Sequence, residues 1–305
     1  MTHRTALTLA FLTLACSSAL AQSGLVVNSD DPSTRDFDSL HRVTLATGQP
    51  IKIGEARPGT NDAPYLDIEG LAMNDAGLVY GIDDATKTLL RLDKMTGQTL
   101  PVDGRDGNTG LPRTSALDFG LTFDCSGQLY ASSDTRRTLY RLNPNTGVAT
   151  VVGAEGALGV PITALAARGN MVYGIGSDGA ENLYSIDVAT GVAKLIGPLG
   201  AGLRFSDAGL DFDADGVLWG IADMTNGSPT GEPSVIFKIN PATGAAERIA
   251  TTLAGIESLA IASPVCINGT PQVTPPAIST LSTAGLAIMA MLLGLIGVLV
   301  LRRGH

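Results

Sequence analysis

Two groups of acidic residues have the type and spacing that could bind a metal ion. The first is the alternating run Asp211, Asp213 and Asp215 in the stretch DFDADGVLWG. Alternating carboxylates can present their oxygens to one hard cation, and the glycine that follows them allows a sharp turn. A calcium loop of this kind has a bidentate Glu at its twelfth position, which here is Ala222. The run therefore predicts either a calcium loop or an Asp- and Gly-rich turn between two strands.

The second group is spread along the chain, and each member lies just before or at the start of a recurring apolar stretch. Its members are Asp67, Glu69, Asp118, Asp207 and Glu257. Carboxylates from separate segments bind a divalent cation or a cationic ligand only if the fold brings them together. Otherwise they are ordinary solvated charges, so the elements that carry them decide between the two interpretations.

Motifs for nucleophilic, zinc or phosphate chemistry are absent from the sequence. There is no Gly-x-Ser-x-Gly, no His-Glu-x-x-His and no phosphate-binding loop. Beyond the first 21 residues only His41 and His305 could serve as histidine acid-base groups, and the repeat places His41 at a packing position. The sequence thus predicts no catalytic residue and no cofactor, with Ca²⁺ as the one candidate.

A repeat of four short strands organises the middle of the chain. Its marker is a Thr-Gly pair followed five residues later by a β-branched residue, at Thr47-Gly48, Thr96-Gly97, Thr146-Gly147, Thr190-Gly191 and Thr243-Gly244. The first strand of each unit contains a sequence such as GLAM or GLDF, and the second is expected to end on an aromatic residue. Units of about 40–50 residues with four strands are typical of a β-propeller. The predicted fold is therefore all-β, a five-bladed β-propeller.

The two ends of the repeat complement each other. The first unit lacks its first strand, since residues 24–27 already match the second strand, and residues 256–261 form an orphan first strand. Together they would make a split closing blade, which leaves no exposed sheet edge. First strands line the central channel of a propeller, so the five acids would surround its mouth, although the fourth unit offers only Thr163 there.

The repeat resembles the non-WD propeller repeats of secreted bacterial proteins. The stretches LYRLNPNTG and LYSIDVATG carry this resemblance, which extends over residues 24–262. It implies the fold but no particular activity, because propellers support many unrelated functions.

The N-terminus is predicted to be a secretory signal peptide, residues 1–21, and the propeller is predicted to span residues 22–262. Arg4 precedes an apolar run, and Ala19-Leu20-Ala21 forms a small-x-small cleavage site. Arg4, Arg302 and Arg303 are the only charged residues of the two ends, so 17 of the 20 Lys and Arg and all 29 Asp and Glu remain between them, a net charge of −12. Such an acidic surface repels phosphate backbones, which argues against nucleic acid as a partner.

Two cysteines follow the signal peptide, Cys125 and Cys266. Their spacing does not suggest a zinc site, but export to an oxidising compartment would allow them to form a disulfide.

Residues 263–277 are rich in proline and predict an extended linker. Residues 284–301 are uncharged, and 18 residues of helix nearly cross a bilayer core of roughly 30 Å. The segment 278–305 resembles bacterial C-terminal protein-sorting domains of the PEP-CTERM kind, in their Ile-Pro-Thr-Leu variety. The matching residues are Ile278, Thr280, Leu281, Ser282, Gly285, Leu286, Arg302 and Arg303. Ser279 and Ala284 depart from the expected proline and tryptophan.

The sorting resemblance implies a Gram-negative exported protein. It would be held in the inner membrane facing the periplasm by one C-terminal transmembrane helix, and a sorting protease would cut it for transfer to the cell surface or secretion. A plain single-span membrane anchor is the alternative. The predicted function is non-enzymatic binding of an unidentified surface ligand, or display. The alternatives are a metal-dependent hydrolase or lyase acting at the acidic channel mouth, and a structural component of the extracellular matrix.

Overall fold

Nineteen strands make up the described part of the chain, which in the computed structural model comprises residues 22–29, 39–59, 65–113, 115–224 and 232–266. The chain divides into two compact units, Met1–Ile267 and Asn268–His305, and every described residue lies in the first. The predicted signal peptide and the predicted sorting and membrane segment lie outside the described residues. Within the described ranges, no helix is long and apolar enough to cross a bilayer.

The strands form five antiparallel sheets, the blades. Blade 1 contains β1 (Ser23–Asn28), β2 (Ser39–Thr44) and β3 (Gln49–Glu55), and blade 2 contains β4 (Ile68–Met73), β5 (Val79–Asp83), β6 (Thr88–Leu92) and β7 (Thr99–Pro101). Blade 3 contains β8 (Phe119–Phe123), β9 (Leu129–Ser133), β10 (Thr138–Leu142) and β11 (Ala149–Val151). Blade 4 contains β12 (Ile162–Arg168), β13 (Met171–Gly176), β14 (Asn182–Ile186) and β15 (Ala193–Pro198). Blade 5 contains β16 (Asp207–Phe212), β17 (Leu218–Asp223), β18 (Val235–Ile239) and β19 (Ala246–Thr251).

Blades 2 to 5 are four-stranded meanders in which chain neighbours pair, and the first strands β4, β8, β12 and β16 contact one another in succession. Period-two patterning explains the strands: in β6 the exposed Arg91 lies between the buried Leu90 and Leu92. The predicted all-β, five-bladed propeller is confirmed.

The closing blade combines the two ends of the repeat. Leu25 and Asn28 of β1 form antiparallel bridges with Ala260 and Ile256. The amide of Val27 donates to Oγ of Ser258 at 3.0 Å, so a side chain here replaces a backbone acceptor. Residues 256–260 therefore occupy the innermost place of blade 1, as the split repeat predicted.

The centre of the propeller is packed rather than open. A Cβ added at Gly70, Gly120 or Gly209 would lie within 2.7 Å of an atom of the neighbouring first strand, so only glycine permits this approach. The remaining cavity between the first strands has a volume of about 10 Å³, enough for about one water molecule. A ligand can therefore reach the channel only at an end.

The predicted position of the recurring aromatic residue was wrong. Tyr80 and Trp219 are the second residues of β5 and β17, at the start of the second strand rather than its end. The turn before each strand is short, because the side chain of Asn74 or Asp213 accepts hydrogen bonds from the backbone two and four residues later. The strand consequently begins directly after the turn.

The last described residues cross the side of the propeller that carries the short hairpin turns, which we call the hairpin face. Oγ of Ser263 donates to the carbonyl of Asn74 in blade 2, and the amide of Gly169 in blade 4 donates to the carbonyl of Val265. A disulfide joins Cys266 to Cys125 in the first hairpin of blade 3. Residues 263–266, which the sequence assigned to the linker, are therefore tied to three blades.

Candidate functional site

The opposite end of the channel collects carboxylates because first strands begin there and second strands end there. We call this end the carboxylate mouth and define it by eight residues: Asp67, Glu69, Asp84, Asp118, Asp134, Asp207, Asp223 and Glu257. Blades 1, 2, 3 and 5 contribute them. All five acids that the sequence predicted for the mouth are among the eight.

Glu69 lies at the centre of the mouth. Its carboxylate forms one group with Asp67 and Glu257 and a second with Asp84 and Asp118, and in each group the three oxygens lie within 4.8 Å of one another. The side chain is buried, with 6% of the residue exposed, and the amide of Phe119 donates to its Oε2. Three blades thus converge on one buried carboxyl group.

Burial and like charge both act on Glu69. Burial raises the pKa of its carboxyl group well above the usual range, and the charges of Asp84, Asp67, Asp118 and Glu257 raise it further. A carboxylate in this setting is unfavourable unless a proton or a cation accompanies it. The site therefore favours positive charge at its centre.

Asp84 carries its own counter-charge. Nζ of Lys87 lies 2.6 Å from its Oδ1, and the amide of Leu117 donates to both of its carboxylate oxygens at 3.1 Å. Both side chains of this ion pair are buried. Burial raises the pKa of Asp84, against the opposing effects of Lys87 and Leu117. Lys87 thereby offsets one of the negative charges around Glu69.

Asp134 lies on the blade 4 side of the mouth. Oγ of Ser177 donates to its Oδ2 at 3.2 Å, and its carboxyl group interacts electrostatically with that of Asp118. Burial raises the pKa of Asp134 to about 9, and the charges of Asp118 and Asp207 contribute. The mouth therefore extends from Glu69 across blade 3 toward blade 5.

Three mouth residues were missed from the sequence, namely Asp84, Asp134 and Asp223. Each lies four residues after the aromatic residue that begins a second strand, Tyr80, Tyr130 or Trp219. This spacing is visible when the repeats are aligned, but placing the aromatic residue at the end of the second strand left the acidic residue outside that strand. With the aromatic at the strand start, the fourth residue beyond it reaches the same end of the channel as the start of the first strand.

The run Asp211, Asp213 and Asp215 is not gathered into a three-carboxylate group among the described residues. Oδ2 of Asp211 accepts from the amide of Ile261 at 2.6 Å. Asp213 accepts from the amides of Asp215 and Val217 and, at 2.8 Å, from Nε1 of Trp219. These oxygens already serve a hairpin turn and the closing segment, so the geometry favours the turn over the calcium loop.

His41 lies away from the mouth, in the core of blade 1. It is 1% exposed and pairs across the sheet with Val26. Its Nδ1 lies 3.1 Å from the carbonyl of Ser39. The packing position predicted for this histidine agrees with its burial.

The ligand atoms of the mouth determine which ions it can accept. Carboxylate oxygens suit hard cations such as Ca²⁺ and Mg²⁺, whereas zinc and copper sites rely on His and Cys. Asp67, Asp118 and Asp207 are partly exposed, while Glu69, Asp84 and Glu257 are buried. A cation at Glu69 would thus be bound by the buried carboxylates on the side of the protein interior and would remain accessible on the side that faces the solvent.

No protein-family model matches the chain, and no curated protein sequence matches it. Solved structures of similar fold include a gluconolactonase from Xanthomonas campestris, at 14% identity over 78% of each chain and a TM-score of 0.44. They also include virginiamycin B lyase from Staphylococcus aureus, at 12% identity over 75% of this chain and 70% of that chain, with a TM-score of 0.42. A third is the calcium-binding protein regucalcin from Agrobacterium tumefaciens, at 16% identity over 75% and 72% of the two chains and a TM-score of 0.41. Likenesses this distant concern the fold alone.

Proposed function

We propose that this chain is a cation-dependent binding module whose carboxylate mouth binds a divalent metal ion and, through it, an anionic ligand. The observation that carries the proposal is the position of Glu69, buried at the point where two groups of three carboxylates meet. Buried charges are normally paired or bound to a metal. A divalent cation would offset both the cost of burying the Glu69 carboxylate and its repulsion by the neighbouring carboxylates.

The metal proposed here is Ca²⁺. It accepts six to eight oxygen ligands in flexible geometry, which suits carboxylates that come from different blades. Asp67 and Glu257 would contribute from one side of Glu69 and Asp118 from the other. Partial exposure of Asp67 and Asp118 leaves room for an anionic group of the ligand to complete the coordination from the solvent side.

Calorimetric titration of the purified protein with Ca²⁺ tests this proposal, with the variant Glu69→Gln and the control Glu247→Gln. Glu247 lies exposed on the outermost strand β19, away from the mouth. We expect Glu69→Gln to weaken Ca²⁺ binding by about tenfold or more, equivalent to about 1.4 kcal/mol, because it removes a central charged ligand. Glu247→Gln should bind as the wild type does.

A thermal measurement complements the titration. Ca²⁺ that binds only the folded state stabilises it by about 2.7 kcal/mol at a hundred times the dissociation constant. We expect this shift in the wild type and in Glu247→Gln, and a reduced shift in Glu69→Gln. If neither Ca²⁺ nor Mg²⁺ gives a heat of binding or a thermal shift, the metal-dependent proposal fails.

The second candidate is a metal-dependent hydrolase or lyase. The solvent-side exposure of Asp118 and Asp207 favours it, because a catalytic metal needs an open coordination position for water or substrate. Hydrolysis of chromogenic carboxylic esters and phosphate monoesters, measured with Ca²⁺ and with EDTA, tests the hydrolase. Turnover that requires the metal and is lost in Glu69→Gln supports an enzyme, whereas metal binding without turnover supports the binding module.

The location of the module is also a proposal. The predicted signal peptide at residues 1–21 and the predicted sorting segment at residues 278–305 favour export and retention at the inner membrane, facing the periplasm, or processing for transfer to the cell surface or secretion. The described chain leaves the propeller at the hairpin face, opposite the mouth. Mass spectrometry of the mature protein tests both ends: intact termini on the purified protein would exclude the proposed processing.

A further inference from the structure

Blade 4 contributes hydroxyl groups at the mouth where the other blades contribute carboxylates. Thr163 lies on its first strand, β12, and Ser177 directly follows its second strand, β13. Oγ1 of Thr163 donates to Oδ1 of Asp207 in blade 5 at 3.2 Å. Oγ of Ser177 donates to Oδ2 of Asp134 in blade 3, also at 3.2 Å. The two hydroxyls therefore fix a carboxylate on each side of blade 4.

The other carboxylate oxygen of Asp134, Oδ1, is the atom of this residue that could bind a cation. Asp134 is 5% exposed, yet its buried Oδ1 has no hydrogen-bond partner among the described residues. Its carboxyl group also interacts electrostatically with those of Asp118 and Asp207. Neighbouring carboxylates repel one another unless a positive charge or a proton lies between them. A buried polar atom without a partner also carries an energetic cost, which a bound cation would remove.

We propose that Asp118, Asp134 and Asp207, together with the hydroxyls of Thr163 and Ser177, form a second cation subsite of the carboxylate mouth. This subsite lies beyond the Glu69-centred groups and accepts the ammonium group of an organic ligand, because its three carboxylates are not gathered as closely as a single metal ion requires. Carboxylate and hydroxyl oxygens accept hydrogen bonds from the N–H groups of an ammonium ion. The inference rests on the proposed function in one respect, namely that the mouth binds cations.

The two subsites differ in the blades that supply their ligands. The Glu69-centred groups draw their ligands from blades 1, 2 and 3, and the second subsite draws its ligands from blades 3, 4 and 5. Asp118 is common to both, whereas Asp134 belongs only to the second. A ligand with two positive charges, or a metal ion beside an ammonium group, would match this arrangement.

Calorimetric titration of the purified full chain at pH 7.5 tests the second subsite. The titrants are Ca²⁺ in one arm and 1,4-diaminobutane, with and without saturating Ca²⁺, in the other. We expect the wild type to bind one equivalent of Ca²⁺ as the first event and one equivalent of the diamine as the second. Asp134→Asn should weaken the second event by about tenfold or more and leave the first within about threefold. Asp75→Asn, an exposed change on the hairpin face, should alter neither event.

Stability separates loss of the site from loss of the fold. At pH 7.5 in EDTA the carboxyl group of Asp134 is protonated, since its pKa is raised to about 9, so the neutral and similarly shaped Asp134→Asn should melt close to the wild-type temperature. Ser177→Ala provides a second variant that keeps all the charges and loses only the hydroxyl. It should weaken the same event by a smaller factor.

The outcomes also separate this inference from the proposed function. Ca²⁺ binding that Glu69→Gln abolishes, with neither Ca²⁺ nor diamine binding sensitive to Asp134→Asn or Ser177→Ala, would overturn the second subsite and leave the proposed function standing. Cation binding lost in Asp134→Asn but normal in Glu69→Gln would support the subsite and contradict the Glu69-centred proposal. Absence of both Ca²⁺ and diamine binding would overturn both.

Discussion

Carboxyl groups that are buried beside one another have raised pKa values, so the folded protein keeps their protons to a higher pH than the unfolded chain does. Burial and neighbouring carboxylates raise the pKa of Asp134 to about 9, and burial raises the pKa of Asp211 to about 7. In the unfolded chain such groups titrate near 3.8. Between these values the folded protein binds protons that the unfolded chain has released. Raising the pH across this range therefore favours unfolding.

We predict that in EDTA the free energy of unfolding falls as the pH rises from about 4 to about 9, by at most about 1.4 kcal/mol per pH unit for each such group. Asp211 contributes up to about pH 7 and Asp134 up to about pH 9. Urea unfolding at pH 5, 7 and 9 measures the trend. Asp134→Asn should flatten it between pH 7 and 9, and saturating Ca²⁺ should flatten it in the wild type.

A rise in stability between pH 7 and 9 in EDTA would contradict this prediction. Asp211→Asn is the companion variant, since its amide oxygen can still accept from the amide of Ile261 while its charge is gone. It should flatten the trend below pH 7 and leave the range from pH 7 to 9 unchanged.

Single residues also show which parts of the site the sequence could reveal. Glu69 and Asp118 could be predicted because each lies one or two residues before a recurring Gly-Leu pair. Lys87 was not, because a lysine in a turn between two strands is usually solvated, whereas here a carboxylate and the carbonyl of Asp84 bind it in the interior. Asp134 depended on the boundary of β9, which apolar alternation places only to within a few residues.

At the scale of strands and turns, the Thr-Gly pairs do more than reverse the chain. The carbonyl of Thr96 in blade 2 lies where a Cβ at Gly54, on β3 of blade 1, would be, at a distance of 1.9 Å. The carbonyl of Thr243 in blade 5 approaches Gly197, on β15 of blade 4, in the same manner. These two turns therefore dock blades 2 and 5 against the outer strand of the preceding blade.

We predict that Gly54→Ala costs about 3 kcal/mol or more of unfolding free energy, because the added methyl group must displace the backbone of the neighbouring blade. The control is Gly127→Ala, at a turn glycine with a φ of +80° and no atom near the added Cβ. That change should cost about 1 kcal/mol from backbone strain alone. Urea denaturation measures both, and equal costs would show that the docking of Thr96 contributes nothing.

The blades could be predicted from the sequence because the units share the same patterns of apolar residues and turn residues. Apolar alternation marks the third strands, and in blades 2 to 5 the Asn or Asp three residues before the Thr-Gly pair accepts hydrogen bonds from the backbone of the turn. The contact between Thr96 and Gly54 was not readable, since it joins residues of different blades and no local pattern requires it. The sequence therefore revealed the repeat but not the packing between its units.

At the scale of the whole molecule, one set of contacts closes the ring and a different set fixes the segment that follows it. The bridges of Leu25 to Ala260 and of Asn28 to Ile256 close the ring. Beyond them, Cys266 returns to blade 3 through its disulfide. The sequence predicted the closure from its split repeat, but residues 263–266 have the proline-rich composition of a linker, so their contacts with blades 2, 3 and 4 could not be inferred.

The disulfide should stabilise the fold, because it joins residues that are 141 positions apart and so closes a long loop in the unfolded chain. We predict that the double variant Cys125→Ser, Cys266→Ser loses about 2–5 kcal/mol of unfolding free energy, the range typical for removal of a native disulfide. Urea unfolding of the variant, and of the wild type with and without dithiothreitol, measures this loss. The control Ser263→Ala removes only the hydrogen bond to Asn74 and should cost about 1 kcal/mol.

Hydrogen exchange at Gly169 tests whether the disulfide also holds the chain exit in place. The amide of Gly169 donates to the carbonyl of Val265 at 2.8 Å, one residue from Cys266. If the disulfide holds this segment against blade 4, the variant should exchange the Gly169 amide faster, while amides of the central strand β12 keep their protection. Unchanged protection at Gly169 would show that the backbone contacts suffice, and the disulfide would then act on the unfolded chain alone.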